Sequence, residues 1–203
     1  MTQSAPGDPR WLDTADVLSR RLIARAHPIR FGVATTPAEL EAVFRLRYDI
    51  VTEEGWLPSH DSSESAERDE YDDQALQIAA WDDAILAGTL RLIPPRHGRP
   101  LPVEAAYGIV VEPRGEVMGA GRVIVARPYR DADHRVLGGL SATAWLLMAE
   151  HGFRWAAGTA TREILDLFDI LGFEVTVLGD PQTYWGEERY PVRMGAADPD
   201  RWS

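Results

Sequence analysis

The chain has 203 residues, 45% of them hydrophobic and 26% charged, with a formal net charge of −11; this is the size and composition of one globular domain with a sizeable core, and its acidity weighs against nucleic acid as a partner. There is no cysteine and no lysine, all 21 basic residues being arginine, which excludes disulfides, thiolate chemistry, a P-loop lysine and a Schiff base. No apolar run reaches the roughly 20 residues that cross a bilayer, and the opening "MTQSAPGDPRWLD" carries no export signal, so a cytoplasmic protein without a membrane span is expected.

In chain order, "WLDTADVLSRRLIARA" (residues 11–26) spaces Leu18, Leu22 and Ile23 as an amphipathic helix that Pro28 ends. It reads as an N-terminal helical extension over 1–28, with the main domain over 29–203. "IRFGVATT" predicts a strand, and "TPAELEAVFRLRYDIV" a helix opened by Thr36 as N-cap, Pro37 at the first turn and Glu39 three residues after the cap. Residues 53–75 form a polar loop; "ALQIAAW" and "AILAGTLRLI" predict a hairpin turning at Asp82 and Asp83, and "PPRHGRPLP" with its four prolines is loop. "GRVIVA" reads as a short apolar strand, "GGLSATAWLLMAEHG" as helix, "RWAAGTA" as strand, "REILDLFDILG" as helix capped by Gly172, and "FEVTVLG" as strand.

Three places carry chemistry. Arg47 shares a helix face with Leu40, Val43, Phe44 and Val51, so its guanidinium points inward and needs an anion unless it snorkels to the rim. The polar loop holds Glu67, Asp69 and Asp72 as E-x-D-x-x-D, either a solvated charged turn or the lining of a cationic site in which an Arg is paired. Arg91 lies on the strand face of Thr89 and Ile93, opposite Leu90 and Leu92, just after Gly88. Further on, "GRVIVARPYRDADHRVLGG" runs strand, Arg-rich loop, glycine pair and helix. That is either an ordinary turn or an anion site in which Arg130, His134 and Arg135 add charge and Gly138 and Gly139 let a phosphate approach a helix N-terminus.

The order strand, "RVLGG" loop, helix, strand and a helix ending "LFDILGF" resembles the GCN5-related N-acetyltransferase (GNAT) family, whose R/Q-x-x-G-x-G/A loop holds a pantetheine pyrophosphate. Within it, "RLRYDIVTEEGW", "ERDEYD", "GTLRLIPP" and Arg122 resemble, in order, four motifs of acyl-homoserine-lactone synthases and N-acyl amino acid synthases. The resemblance implies an α/β (α+β) three-layer sandwich with a central mixed, mostly antiparallel sheet flanked by helices, preceded here by the extra N-terminal helix. It implies an N-acyltransferase that moves an acyl group from acyl-CoA or an acyl carrier protein, as cosubstrate, to the amine of an amino acid or related small molecule. No permanently bound cofactor and no metal is expected. By the same resemblance Arg47, Arg91, Arg122, Glu67, Asp69 and Asp72 form the catalytic group, with Glu67 or Asp69 as base. Val123, Val125, Arg130, Arg135, Gly138 and Gly139 hold the donor, and the strand carries a β-bulge whose N–H groups meet the oxyanion. Trp56, Tyr71, Leu146, Trp155 and Phe168 line the substrates. The sequence departs from the pattern at Gly119, where lactone synthases carry a Glu, at Leu140 in the phosphate loop, and at Phe168, where many GNAT enzymes keep a Tyr acid. An S-adenosylmethionine-using lactone synthase, an acetyl-CoA-dependent metabolite N-acetyltransferase and a catalytically silent binding domain are the alternatives.

Overall fold

A computed structural model describes residues 9–56, 66–130, 133–170 and 173–196. In chain order the elements are α1 (Pro9–Arg25), β1 (Arg30–Val33), α2 (Pro37–Glu53), β2 (Leu76–Asp82), β3 (Ile85–Ile93), α3 (Pro102–Tyr107), β4 (Val117–Val125), α4 (Arg135–Glu150), β5 (Trp155–Ala160), α5 (Arg162–Ile170), β6 (Phe173–Val177), β7 (Gln182–Tyr184) and β8 (Glu187–Ala196). Among the described residues, eight strands make one sheet in the order β1-β2-β3-β4-β5-β8-β6, with β7 paired to β8 off that path. All neighbours are antiparallel except β4 and β5. This is the expected mixed, mostly antiparallel sheet flanked by helices.

Strand alternation divides the core between the two faces. Ile78, Ala80, Leu90, Leu92, Met118 and Ala156 pack under Val136, Leu140, Ala144 and Met148 of α4. Ala79 takes the other face, where Val43 and Phe44 of α2 cover it, and Ala157 meets Val103 of α3 on that same face. Helix α2 begins as the sequence predicts, the Thr36 hydroxyl accepting from the Glu39 N–H while the Glu39 carboxylate accepts from the Thr36 N–H. Helix α1 docks along α4, with Asp16 accepting from the Trp145 indole at 3.1 Å.

Four expectations change. Strand β4 begins at Val117, four residues before the apolar run, because Val117 and Met118 pair with Trp155 and Ala156 of β5. Helix α4 begins at Arg135, so the glycine pair sits inside its first turns and not ahead of it. Helix α3 emerges from the proline-rich stretch: Pro102 occupies its first turn, Gly108 ends it at φ 63°, and the Glu104 carboxylate accepts from the Leu101 and Val111 N–H groups. A hairpin of β7 and β8 closes the described chain through a two-residue turn, Trp185 and Gly186, both at positive φ. The predicted cap Gly172 lies outside the described residues.

The parallel pairing of β4 and β5 stops at Gly119 and Ala157. Beyond it both strands line one cleft, which α4 and α5 close from one side.

Candidate active site

Helix α2 delivers Arg47 into the interior, fully buried, because its helical phase matches Val43, Ile50 and Val51. A buried guanidinium demands a carboxylate, and the segment after residue 65 supplies it. Glu67 is anchored by its N–H to the Phe44 carbonyl, and its carboxylate accepts from Arg47 Nε. Asp72 heads a single 3-10 turn. Its Oδ1 accepts from Arg47 Nη1 at 2.8 Å, Gln77 Nε2 at 2.8 Å and Arg91 Nη1 at 2.9 Å, and its Oδ2 from Arg47 Nη2 at 3.1 Å and the Asp69 N–H at 2.8 Å. Asp69 Oδ1 takes Arg91 Nη1 at 2.6 Å and Oδ2 takes Arg122 Nη2 at 2.9 Å. Arg122 completes the ring on Glu67, from Nε at 3.2 Å and Nη2 at 3.0 Å. Three arginines from α2, β3 and β4 are thus matched by three carboxylates from one short segment. "ERDEYD" is not a solvated turn.

The electrostatics follow from the geometry. Burial alone would raise the Asp72 carboxyl, but the hydrogen bonds and charge of Arg47, with the charge of Arg91, outweigh it and hold the group far below the ordinary carboxylate range. Asp69 is lowered in the same way, burial being outweighed by Arg91 and then Arg122. A carboxylate held low and already bonded to two guanidiniums is a poor proton acceptor. The Asp69 oxygens hold Arg91 and Arg122, and both oxygens of Glu67 likewise accept from arginine, so neither carboxylate has an oxygen without an arginine partner.

Arg122 stands in the left-handed region at φ 52°, where a branched or long side chain is strained. The pairs Thr89–Ile124 and Arg91–Gly121 leave Arg122 and Val123 together opposite Leu90, so β4 bulges here, in the strand where a bulge was expected. The Arg122 guanidinium is clamped between its carboxylates and the Trp185 ring, 3.8 Å from the ring centroid. The bulge faces a cleft of about 820 Å³. Its walls are largely apolar: Leu90 and Ile124 from the sheet, Ala144, Trp145 and Met148 from α4, Phe168 from α5. Toward the start of α4 the lining turns polar, with Arg130, His134 and Ser141. A helix N-terminus carries N–H groups that no helix carbonyl can accept, and so favours an anion.

Of the residues singled out, Arg122, Val123, Val125, Arg130, Trp56 and Phe168 line this cleft. Arg130 also donates to the Val125 carbonyl and to Glu54, both at 2.9 Å. Gly138 and Gly139 are not part of the cleft wall: a Cβ at Gly139 would lie 2.1 Å from the Phe31 ring, one at Gly138 would meet Leu22 at 3.8 Å, an ordinary contact, and the Gly138 N–H is bound to the His134 carbonyl. Gly139 thus brings α4 close to β1. Arg135 is exposed at the helix start and is not part of the cleft wall. Tyr71 is buried under Arg99, 4.5 Å from its ring centroid, and Trp155 lies under Arg193 against Gly195. Neither they nor Leu146 line the cleft, its neighbours Trp145 and Met148 doing so instead. The sequence reading missed Trp185 and Arg189 altogether; the Y-W-G-E turn between two polar runs was the signal for the hairpin that brings them in. Among the described residues, no group of His, Asp and Glu is placed to hold a metal ion, and no helix is long and apolar enough to cross a membrane.

Residues 46–137 match the family described as the acetyltransferase (GNAT) domain. No curated protein sequence matches the chain. Among solved structures, a CoA-dependent acyl-homoserine lactone synthase, BjaI, with SAM and isopentyl-CoA is 25% identical over 82% of each chain, with a TM-score of 0.64. A second CoA-dependent lactone synthase, MesI, superposes with a TM-score of 0.68 over 84% of this chain and 90% of its own at 19% identity. FeeM, an N-acyl amino acid synthase from uncultured soil microbes, superposes with a TM-score of 0.62 over 82% of this chain and 88% of its own at 15% identity. The chain carries the GNAT acyltransferase fold and resembles lactone synthases and N-acyl amino acid synthases.

Proposed function

We propose that this GNAT-fold chain is an N-acyltransferase that moves an acyl group from an acyl-CoA or acyl carrier protein thioester to the amine of an amino acid or related small molecule. The observation that carries this reading is the apolar cleft of about 820 Å³ ending at the bulged strand, since that volume far exceeds what an acetyl group needs and suits a longer acyl chain. The acyl chain lies among Trp145, Met148 and Phe168, and the phosphates of the donor face His134 and Arg130. In the step itself the amine nitrogen attacks the thioester carbon, the C–N bond forms, the C–S bond breaks and the thiolate leaves. The backbone N–H groups around Arg122 and Val123, turned out of the ladder by the bulge, stabilise the developing oxyanion. The amine's proton passes to water, because Glu67 and Asp69 beside the bulge are held by arginine, and a thiolate is a leaving group that needs little help near neutral pH. The three-arginine, three-carboxylate ring serves the reaction by fixing Arg122 and with it the bulge.

A lactone synthase is the second reading, favoured by the 25% identity to BjaI. Against it, Gly119 carries no carboxylate where lactone synthases keep one, and a Cβ there would press on the Ile93 side chain at 3.2 Å. Incubation with acyl-CoA and acyl-carrier donors against a panel of amino acids, simple amines and S-adenosylmethionine, read by thiol release and by mass spectrometry, tests both. An N-acyl amino acid is the expected product. A lactone would move the assignment to the second reading, and neither thiol release nor amide with any donor would overturn both.

A further inference from the structure

We infer that a small polar pocket beside the bulge is an anion site that seats a carboxylate of the acceptor, with Arg189 of β8 as the residue that selects for it; this rests on the acyltransferase reading above. The pocket has a volume of about 70 Å³ and is framed by Arg91, Arg122, Arg189, Trp56, Tyr184 and Trp185. A water molecule occupies roughly 30 Å³ of liquid, so the space suits a carboxylate and its α-carbon. Three guanidiniums and no Asp or Glu line it, in a chain whose net charge is −11. The carboxylates nearby are already committed: Glu67, Asp69 and Asp72 to the ring with Arg47, Arg91 and Arg122, and Glu187 to Arg189 Nη2 at 2.6 Å.

Two of these arginines keep an unanswered donor. Nε of Arg91 and Nε of Arg189 are buried without a hydrogen-bond partner, and Arg91 as a whole is 1% exposed. Buried donors are nearly always satisfied, and a guanidinium edge presents N–H groups in the fork that a planar carboxylate matches. The two outer planes are held in place, Arg189 5.3 Å from the Trp56 ring centroid and Arg122 3.8 Å from that of Trp185. The pocket shares Trp56, residues 120–124, Thr159 and Arg189 with the acyl cleft. An amine one carbon from the seated carboxylate therefore meets the thioester carbon at the bulge. A positively charged side chain in the acceptor would find no partner here, so the class is an α-amino acid whose side chain carries no positive charge.

The test separates binding from turnover. The full chain is titrated calorimetrically with N-decanoyl-phenylalanine and with N-decanoyl-phenethylamine, the same amide lacking the carboxylate. The acid binds about 10²-fold tighter, the value of hydrogen bonds to a charged group. Arg189→Gln brings the ratio close to one; Arg189→Lys, which keeps the charge but not the fork, retains part of it; Arg45→Gln on the far face of α2 retains it all. Thermal melts accompany each variant, so that a ratio lost through unfolding is recognised and Arg189→Lys decides. Equal binding of the two amides by the natural chain, or an unchanged ratio in Arg189→Gln, overturns the proposal. So does displacement of the acid by free CoA without loss of the acyl contacts, which would make the pocket a phosphate site of the donor. If neither phenylalanine nor phenethylamine is acylated with any donor, the acyltransferase reading fails, and the binding ratio still decides the pocket.

Discussion

Replacing Asp72 by Asn leaves the shape of the site unchanged and removes one charge from its centre. The carboxylate accepts five hydrogen bonds, three on Oδ1 and two on Oδ2, and every one comes from a donor. An amide cannot answer that set: whichever way it turns, its NH₂ faces at least two donors, and Arg47 and Arg91 keep an uncompensated positive charge where side-chain exposure is 0% and 1%. Removing one partner of a buried ion pair costs about 3–5 kcal/mol, and in a domain of this size each kcal/mol lowers the melting temperature by about 2–4 °C. Asp72→Asn is expected to melt about 6–20 °C lower than the natural chain. Arg45→Ala, which removes only an exposed pair with Glu41, is expected to melt within about 1–2 °C of it. The pH dependence has a definite sign. The folded-state pKa of Asp72 lies far below its unfolded value near 4, so its stabilisation is fully present above about pH 4 and is lost progressively as the pH falls from there toward the folded value. The natural chain therefore begins to lose this contribution below about pH 4, and the difference between the two melts narrows progressively from there. Melts by circular dichroism from neutral pH downward measure it. An Asn variant that melts with the natural chain at pH 7 would refute the account of a buried, charge-matched ring.

Arg122→Gly and Arg122→Ala remove the same ion pairs but treat φ 52° differently. Left-handed backbone costs alanine about 1–2 kcal/mol more than glycine, so the Gly variant is expected to melt higher and to keep more turnover; the reverse order in melts and single-turnover rates would deny the bulge its role. Gly139→Ala drives a methyl to within 2.1 Å of the Phe31 ring and is expected to cost about 1–3 kcal/mol, with the donor KM unchanged if the glycine serves packing alone. Phe168→Ala enlarges the cleft and is expected to move acyl preference toward chains about two carbons longer, each buried methylene contributing about 0.8 kcal/mol; a panel of saturated acyl-CoA donors reads this, and an unmoved optimum would take Phe168 out of the acyl wall.

Local pattern carried the reading wherever one element decides a residue's direction. The phase of α2 puts Arg47 inward with Val43 and Val51, and the alternation of β3 puts Arg91 opposite Leu90 and Leu92. The capping residues at Thr36 and Glu39 mark the helix start unaided. Burial then makes pairing with a carboxylate obligatory, and the E-x-D-x-x-D carboxylates supply it. What the sequence leaves open is which residues meet across elements. Gly138 and Gly139 read as a phosphate loop by spacing, yet the approach of Phe31, some hundred residues earlier, fills the space that a side chain at Gly139 would take. Trp155 and Leu146 carry the apolar character of an acyl wall but face elsewhere, since a one-residue change of position in a strand or a helix turns the side chain away from the cleft. Arg189 and Trp185 sit in a run without apolar periodicity, and only the insertion of β8 between β5 and β6 brings them to the bulge of β4. The chain by itself thus determined most of its elements and the inward direction of Arg47 and Arg91, because these follow from period and desolvation. Tertiary structure alone decided the cleft and the polar pocket, because a cavity is the space left between elements distant in sequence.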